Sequence, residues 1–511
     1  MSGTLGSTTV TLDAGDVVAD VDPRVFGGFV EHMGRCVYEG IYDPTSAHAD
    51  EHGCRTDVLD ALAKLRFTAV RYPGGNFVSG YDWRDGIGPK AQRPERLERA
   101  WRCTETNQFG TDEFLPLAER MGWTPMMAVN LGTGTPADAQ SLVSYVNEPA
   151  GTAMGDWRGR NGRTEPYGVD LWCLGNEMDG PWQLGHTNAS EYTRRAREAA
   201  AAMRDVTPEM EVVACGSSDP GLPSHPKWSI TVLDEFGDGL DYLSLHRYAR
   251  NLGRRTREFL GFGRTVDAQI EEAAGLCAEA QRRHGYERPT RISFDEWNVW
   301  YKTGHQTLLR WAVPSRFGGK APHLIEEIYN LEDALVVAQF LNSFVRHADV
   351  VRIANLAQAV NVIAPLLTKG DDLLVQSIFH AFRMFSDRRE GDALRVAPTG
   401  PSYETRRFGT VPEVDLSAIL GPDALHIFAV NRSREAAAPL SVSLTGITLA
   451  GGVDAEVLTG PHPRARNTWD EPHVVEAAPF AHGSASAAGA SAGLSAALSA
   501  AAGLVSRTTP L

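Results

Sequence analysis

Between residues 24 and 388, short apolar runs alternate eight times with amphipathic helical stretches, and this repetition restricts the fold more than any single residue does. The apolar runs are VFGGFVEH, TAVRYPGG, TPMMAVNLG, VDLWCLGNE, EMEVVACGSS, LDYLSLHRY, TRISFDEWNVW and DVVRIANLAQAVNVI. Each precedes a stretch with helical spacing, such as RTDVLDALAKLR after the first and LEDALVVAQFLNSFVRHA after the seventh. Asp112 marks the cap region of the second helix, Ser190 is the candidate N-cap of the fourth, and Gly285 stops the sixth. Eight strand–helix units predict an α/β fold, a (β/α)8 TIM barrel. The structural rival is an open doubly wound sheet. It lacks its usual signature here, because neither G-x-G-x-x-G nor a Walker A stretch follows the first strand.

After about residue 388 the style changes to short alternating runs split by Gly and Pro, as in DALHIFAVNRS and PLSVSLTG. These predict a C-terminal all-β sandwich. The opening TTVTLDAGDVVADV reads as a hairpin that joins that sheet. The expected division is residues 1–20 as strands of the sandwich, 21–388 as barrel and 389–511 as sandwich with a low-complexity tail. That tail, AHGSASAAGASAGLSAALSAAAGLVSRTTPL, leaves two readings open: an unordered end or a weak last strand.

A net charge of −15 argues against a nucleic-acid or anionic-membrane binder, which needs an excess of Lys and Arg. Six scattered cysteines without a C-x-x-C pair favour reduced thiols over a disulfide framework. No basic and apolar leader opens the chain, and no run approaches the ~20 apolar residues of a membrane span. The expectation is a soluble, cytoplasmic protein.

In a barrel of this kind the chemistry lies at the C-terminal ends of the strands. Those ends are polar: Glu31 and His32 after the first, Arg71 and Asn76 after the second, and Asn176 and Glu177 after the fourth. His246 and Tyr248 follow on the sixth, Asp295 and Glu296 on the seventh, and Asn355 and Gln358 on the eighth. Buried polar groups of this kind need partners or a ligand, and a hydroxyl-rich, uncharged ligand such as a sugar fits them. Strands four and seven lie three steps apart round the ring, so Glu177 and Glu296 face each other across its mouth. Glycoside hydrolysis needs two such carboxylates flanking one bond. Trp83, Trp101, Trp172, Trp182, Trp297 and Trp300 are candidates to stack on sugar rings, although loop tryptophans more often pack. Tyr248 is placed to hydrogen-bond a catalytic carboxylate and keep it ionised.

Plainer readings accompany these. Arg71 is either an ordinary ion-pair partner or the fork that holds Glu296 ionised. Asp295, by strand alternation, faces away from Glu296 as a structural hydrogen-bonder. His48, His52 and Cys54 in HADEHGC lack a fourth ligand and H-E-x-x-H is absent, so no metal and no cofactor are expected. The RRTREF run at 254–259 reads as a solvated helix edge.

Taken jointly, FGGFVEHMGRCVYEGIYDP, RYPGGNFVSGYDWRDGIGP, AWRCTETNQFGTDEF, WCLGNEMDGPWQLGH, SLHRY, FDEWNVWY, APHLIEEIYNLEDALVVAQFLN and ANLAQAVNVIAPL resemble glycoside hydrolase family 51, the intracellular α-L-arabinofuranosidases of clan A. They run in order from about residue 26 to 367 and so span the barrel. The resemblance implies Glu177 as general acid/base and Glu296 as nucleophile, with net retention. It implies that Glu31, Arg71, Asn76, Asn176, His246, Tyr248 and Gln358 line the glycone subsite, with Trp101 and Trp300 as apolar walls. It also implies a homo-oligomer, a hexamer being one expected form. The resulting expectation is a retaining, exo-acting α-L-arabinofuranosidase acting on arabinofuranosyl oligosaccharides from arabinan or arabinoxylan. The rivals are a β-xylosidase or endoglucanase on the same scaffold, and a non-catalytic sugar-binding protein. The loop KTGHQTLLRWAVPSRFGGKAPHL after the seventh strand is expected to shape the aglycone side.

Overall fold

The computed structural model describes residues 3–4, 6–304, 319–434, 436–448, 454–480, 485–486, 493–498 and 503–510. Eight parallel strands close into a barrel: Gly27–Phe29, Ala69–Tyr72, Thr124–Val129, Leu171–Leu174, Glu211–Cys215, Tyr242–Ala249, Arg291–Val299 and Val351–Leu356. Neighbours follow chain order, and the ring closes where Asn355 of the eighth strand pairs with Gly27 of the first. These strands are buried on both faces, which is why they read as near-continuous apolar runs.

The connecting helices form because their apolar residues recur on one face. Thr56–Leu65 buries Val58, Leu59, Leu62 and Leu65 at helical spacing, then ends where Arg66 turns left-handed with φ 52°. The helix Gly263–His284 stops at Gly285, whose φ of 69° suits glycine. Two caps differ from the sequence expectation. Asn188, not Ser190, caps Ala189–Arg204 by accepting the Glu191 N–H at 3.0 Å, while Ser190 donates to Glu235 instead. Gly110 precedes Thr111–Met121, and Glu113 closes that turn by accepting the Gly110 N–H at 2.9 Å. Asp112 instead accepts from Gly88 and Tyr145.

After the last barrel helix, Ser377–Ser386, the chain enters two sheets. One has seven strands in the order Glu476–Pro479, Asp454–Thr459, Gly503–Pro510, Ala424–Asn431, Val414–Leu420, Asp392–Leu394 and Val17–Asp20. The other contains Gly3–Thr4, Thr8–Asp13, Ala436–Thr445, Ala485–Ser486 and Gly493–Leu498. Between them pack Val10, Leu12, Leu416, Ile427, Leu440, Val442 and Leu444. The two N-terminal strands therefore do not form a hairpin with each other. Thr8–Asp13 pairs with Ala436–Thr445 and Val17–Asp20 with Asp392–Leu394, one in each sheet, because apolar residues alternate on the first strand toward the inter-sheet core. In the tail, Gly503–Pro510 is a strand seated between Ala424–Asn431 and Asp454–Thr459, whereas 481–484, 487–492, 499–502 and 511 lie outside the described residues.

The barrel and the sheets share a polar seam. Arg346, at the end of Leu331–Arg346, reaches Asp267 at 2.9 Å and Asp415 at 3.1 Å, and Asn342 donates to Asp415 at 2.8 Å. Phe385 stacks on Phe428 with centroids 4.0 Å apart. The RRTREF run joins the same seam instead of lying wholly in solvent. Thr256 and Phe259 are buried, and Arg257 pairs with Glu413 at 2.7 Å and covers the Tyr403 ring at 4.0 Å.

The cap assignment is directly testable. Asn188→Ala should cost about 1 kcal/mol in urea unfolding, the usual loss for an N-cap, and Ser190→Ala should cost less than half of that.

Candidate active site

A cleft of about 260 Å³ opens at the C-terminal ends of the barrel strands, lined by Glu31, Asn76, Trp101, Glu177, Tyr248, Glu296, Trp300 and Gln358 among others. Buried Arg71 organises its floor. Its fork donates to Glu296 Oε1 at 2.7 Å and to Asn176 Oδ1 at 2.8 Å, while Nε lies 3.4 Å from Asp295. The guanidinium lies over the Phe29 ring at 4.8 Å. One side chain from the second strand thus fixes groups from the fourth and seventh. Tyr248 donates to the other oxygen of Glu296 at 2.9 Å.

Glu177 faces this pair. The left-handed φ of 43° at Glu177 turns the chain out of the fourth strand and aims the carboxylate across the mouth. His246 Nδ1 is 2.9 Å from Glu177 Oε1 and 3.5 Å from Glu296 Oε2, and the Trp182 indole donates to Glu177 Oε2 at 2.5 Å. An oxygen of Glu177 and one of Glu296 lie within 4.8 Å of each other. Burial raises the Glu177 carboxyl above its ordinary value; the hydrogen bond to His246 opposes that rise and the Glu296 charge adds to it. Burial disfavours the imidazolium of His246, but Glu296, Asp295 and Glu177 around it prevail and raise it well above 6.5. Among the described residues Glu177, His246 and Glu296 are the one trio with metal-ligand chemistry in reach of each other.

Glu31 is a third buried carboxylate. It accepts from Gln358 Nε2 at 2.7 Å, Trp101 Nε1 at 2.9 Å and the Phe77 N–H at 3.0 Å. Burial, then the Glu296 charge, push its pKa up to about 7. Gly75 separates the two acids: a Cβ there would sit 2.8 Å from Glu296 Oε1 and 3.2 Å from Glu31 Oε2, so only glycine lets the backbone pass. Asn176 donates to Asn76 at 3.3 Å. Trp101 and Trp300 stand on the cleft wall, and Trp300 meets Tyr248 edge-on at 5.6 Å.

All eleven site residues expected from the sequence therefore gather at one end of the barrel. Several neighbouring readings change. Asp295 does not face the helices. Register breaks at Ser244/His246 and Phe294/Trp297 keep both Asp295 and Glu296 inside, where Asp295 accepts from Ser244 at 2.5 Å. Burial raises the Asp295 carboxyl, yet Arg71, His246 and Ser244 outweigh it and hold it low. Asn355 ties Gly28 and Ala69 carbonyls inside the barrel and His32 pairs with Glu105 and Tyr72, so neither lines the cleft. Of the six tryptophans, Trp101, Trp182 and Trp300 line it. Trp172 is spent on the Val169 carbonyl, Trp297 on Phe340 and Phe344, and Trp83 on Tyr145 and Trp157. His48 and His52 are exposed while Cys54 is buried, so HADEHGC presents no common face. Residues 305–318 of the loop after the seventh strand lie outside the described residues.

The cleft also uses Met33, Ser218, Asp219, Arg250, Ile325 and Ile363, which sequence reading did not single out. Ser218 and Asp219 follow the fifth strand and were findable by the same strand-tip rule. Met33, Ile325 and Ile363 are apolar and carry no chemical signal.

Beside the cleft, Glu98 caps the turn that presents Trp101, accepting the Ala100 and Trp101 N–H groups at 2.6 and 2.5 Å. Burial raises its pKa to about 7, above the 4.5 of the unfolded chain. A carboxyl raised on folding contributes stability that is complete below pH 4.5 and lost as pH climbs through 7. Glu98→Gln should therefore flatten the fall of Tm between about pH 4.5 and 7, read by circular dichroism; an unchanged slope would contradict the assignment.

Comparison with known proteins gives the family. The sequence pattern of the α-L-arabinofuranosidase 1 domain matches residues 61–259, and that of the α-L-arabinofuranosidase C-terminal domain matches 295–499. The chain is 44% identical over 473 residues to an intracellular exo-α-(1→5)-L-arabinofuranosidase of Streptomyces lividans, covering 92% of this chain and 71% of that one. It is 41% identical over 474 residues to intracellular exo-α-(1→5)-L-arabinofuranosidase 1 of Bacillus subtilis strain 168, covering 92% and 93%. The solved structure of a family 51 α-L-arabinofuranosidase from Bifidobacterium longum superimposes with a TM-score of 0.92 at 37% identity, over 99% of this chain and 100% of that one. This chain belongs to the α-L-arabinofuranosidases of glycoside hydrolase family 51.

Proposed function

We propose that the protein is a retaining, exo-acting α-L-arabinofuranosidase that removes terminal non-reducing α-L-arabinofuranosyl residues from arabinan or arabinoxylan oligosaccharides. One observation carries this reading: oxygens of Glu177 and Glu296 lie within 4.8 Å across a single cleft. Retaining glycosidases hold their carboxylates ~5–5.5 Å apart, whereas inverting ones need ~6.5–9.5 Å to seat a water.

Glu296 is the nucleophile. Arg71 and Tyr248 each donate to it and aim it at the anomeric carbon. Glu177 is the general acid/base. In the first step a Glu296 oxygen bonds to the anomeric carbon, the glycosidic bond breaks, and the leaving oxygen takes the proton of Glu177. In the second, Glu177 takes a proton from water, the water oxygen bonds to the anomeric carbon, and the Glu296 ester opens with net retention. Once Glu296 is esterified its charge is gone, one cause of the raised Glu177 pKa disappears, and Glu177 ionises more readily, which gives deglycosylation the carboxylate base it requires. Glu31, Asn76, Asn176, Gln358 and Trp101 supply the hydrogen-bonding end that reads the glycone. The relatives' names support an α-(1→5) linkage and an intracellular setting, in which imported oligosaccharides are the substrates.

A β-xylosidase shares the catalytic pair and remains the second reading, separated by rates on nitrophenyl α-L-arabinofuranoside and β-D-xyloside. Glu296→Gly should abolish turnover and recover it with azide as an inverted glycosyl azide. Glu177→Ala should lose about 10²–10⁴-fold on substrates with poor leaving groups and give a retained azide product. Exchanged azide stereochemistry would reverse the roles, and hydrolysis with inversion would end the reading.

A further inference from the structure

Two isoleucines on the cleft wall have backbones that β-branched residues rarely adopt. Ile325 has φ 53° and Ile363 φ 39°, both in the left-handed region. Both are buried and both line the cleft. They come from separate segments, one ahead of the last long barrel helix but one, the other after the eighth strand, and they meet directly: the Ile363 N–H donates to the Ile325 carbonyl at 2.9 Å.

The surroundings hold these conformations in place. Asn298 on the seventh strand donates to the Ala357 and Ile363 carbonyls, each at 2.6 Å. Asn361 ties the same turn to the Arg35 carbonyl and accepts the Thr368 N–H at 2.7 Å. On the other segment, Arg35 grips Glu326 at 2.8 Å, and Glu327 gathers the N–H groups of Tyr301, Lys302 and Thr303. The Gln358 N–H donates to the Ile363 carbonyl at 3.3 Å, which couples this wall to the side chain that contacts Glu31. Strained backbone persists only where its surroundings over-determine it, and such positions gather at ligand clamps.

Glu31, Asn76, Glu177, Glu296 and Gln358 make much of the remaining lining polar and suited to hydroxyl groups. Such groups have little power to separate two pentose rings with matching hydroxyl patterns, because both satisfy the same donors and acceptors. The rings differ in shape. A pentofuranose carries its fifth carbon outside a five-membered ring, and a pentopyranose holds it inside a six-membered one. Ile325 and Ile363 offer no polar atom from their side chains, are stiff at χ1, and stand on backbone joined by their own hydrogen bond and tied down by Asn298.

We propose that Ile325 and Ile363 form a fixed apolar stop that sets ring-size specificity, admitting a five-membered pentose ring and obstructing the six-membered one. This rests on the arabinofuranosidase reading and adds its selectivity. Both side chains are hydrocarbon and exchange no protons, so the stop acts by shape.

The test compares kcat/KM for 4-nitrophenyl α-L-arabinofuranoside and β-D-xylopyranoside in the full-length protein and in Ile363→Ala, Ile325→Ala and Ile363→Val, with Tm as the control for folding. A methylene in a pocket is worth about 10–200-fold in discrimination. Each alanine variant should lower the furanoside-to-pyranoside ratio about tenfold or more, chiefly by raising the pyranoside rate. Ile363→Val, which keeps the β-branch and folds most readily, should lower it by about twofold or more. A ratio unchanged in all three variants, with both rates falling together, would overturn the inference while leaving the arabinofuranosidase reading intact. Absence of arabinofuranoside hydrolysis by the unsubstituted protein would overturn the reading and the inference with it.

Discussion

Arg71 is the charge on which the cleft depends. It is a buried cation touching Glu296, Asn176 and Asp295, so it fixes groups from the fourth and seventh strands to the second at once. Taking an ionised carboxylate out of water is costly unless a partner compensates it, and the fork geometry of arginine compensates two. Without Arg71, Glu296 and Asp295 would be two buried carboxylates on adjacent residues, lacking the guanidinium that contacts both. The barrel thus does more than bring strand tips together: it places one guanidinium against both acids.

His246 carries the complementary task. It stands between Glu177 and Glu296 and has Asp295 3.6 Å from its other nitrogen. Three acidic neighbours raise its pKa despite burial. The two carboxylates it bridges therefore meet different environments. Glu296 is held by a guanidinium and a phenol, while Glu177 is held by an imidazole and an indole, and that asymmetry suits the two carboxylates to different roles. Protons within this group belong to the set, because each ionisation changes its neighbours.

The barrel was legible because its signal is repetition. Eight apolar runs at helix-sized intervals survive small errors at the ends of elements, and the polar strand tips stand out where a buried strand should end. Glu177 and Glu296 were conspicuous for that reason. What escaped was local. Asp295 was assigned to the wrong face because strict alternation assumes a regular strand, and the register breaks around it place two adjacent acids on one side. The helix cap moved from Ser190 to Asn188 because two good capping residues lay two positions apart. The N-terminal strands read as a hairpin, but each found a better-matched partner more than 370 residues away, a pairing no local pattern encodes. Ile325 and Ile363 were invisible, since nothing in an apolar residue announces a left-handed backbone.

The central claim is that Glu296 becomes covalently bonded to the sugar while Glu177 manages the proton. The most direct measurement is peptide-mapping mass spectrometry of Glu177→Ala quenched during turnover of an aryl α-L-arabinofuranoside with a good leaving group. Loss of the base slows deglycosylation, so one pentosyl unit should accumulate on the peptide that contains residues 291–300, localised to Glu296. A pentosyl unit on Glu31, or turnover with no covalent adduct at any residue, would contradict the account.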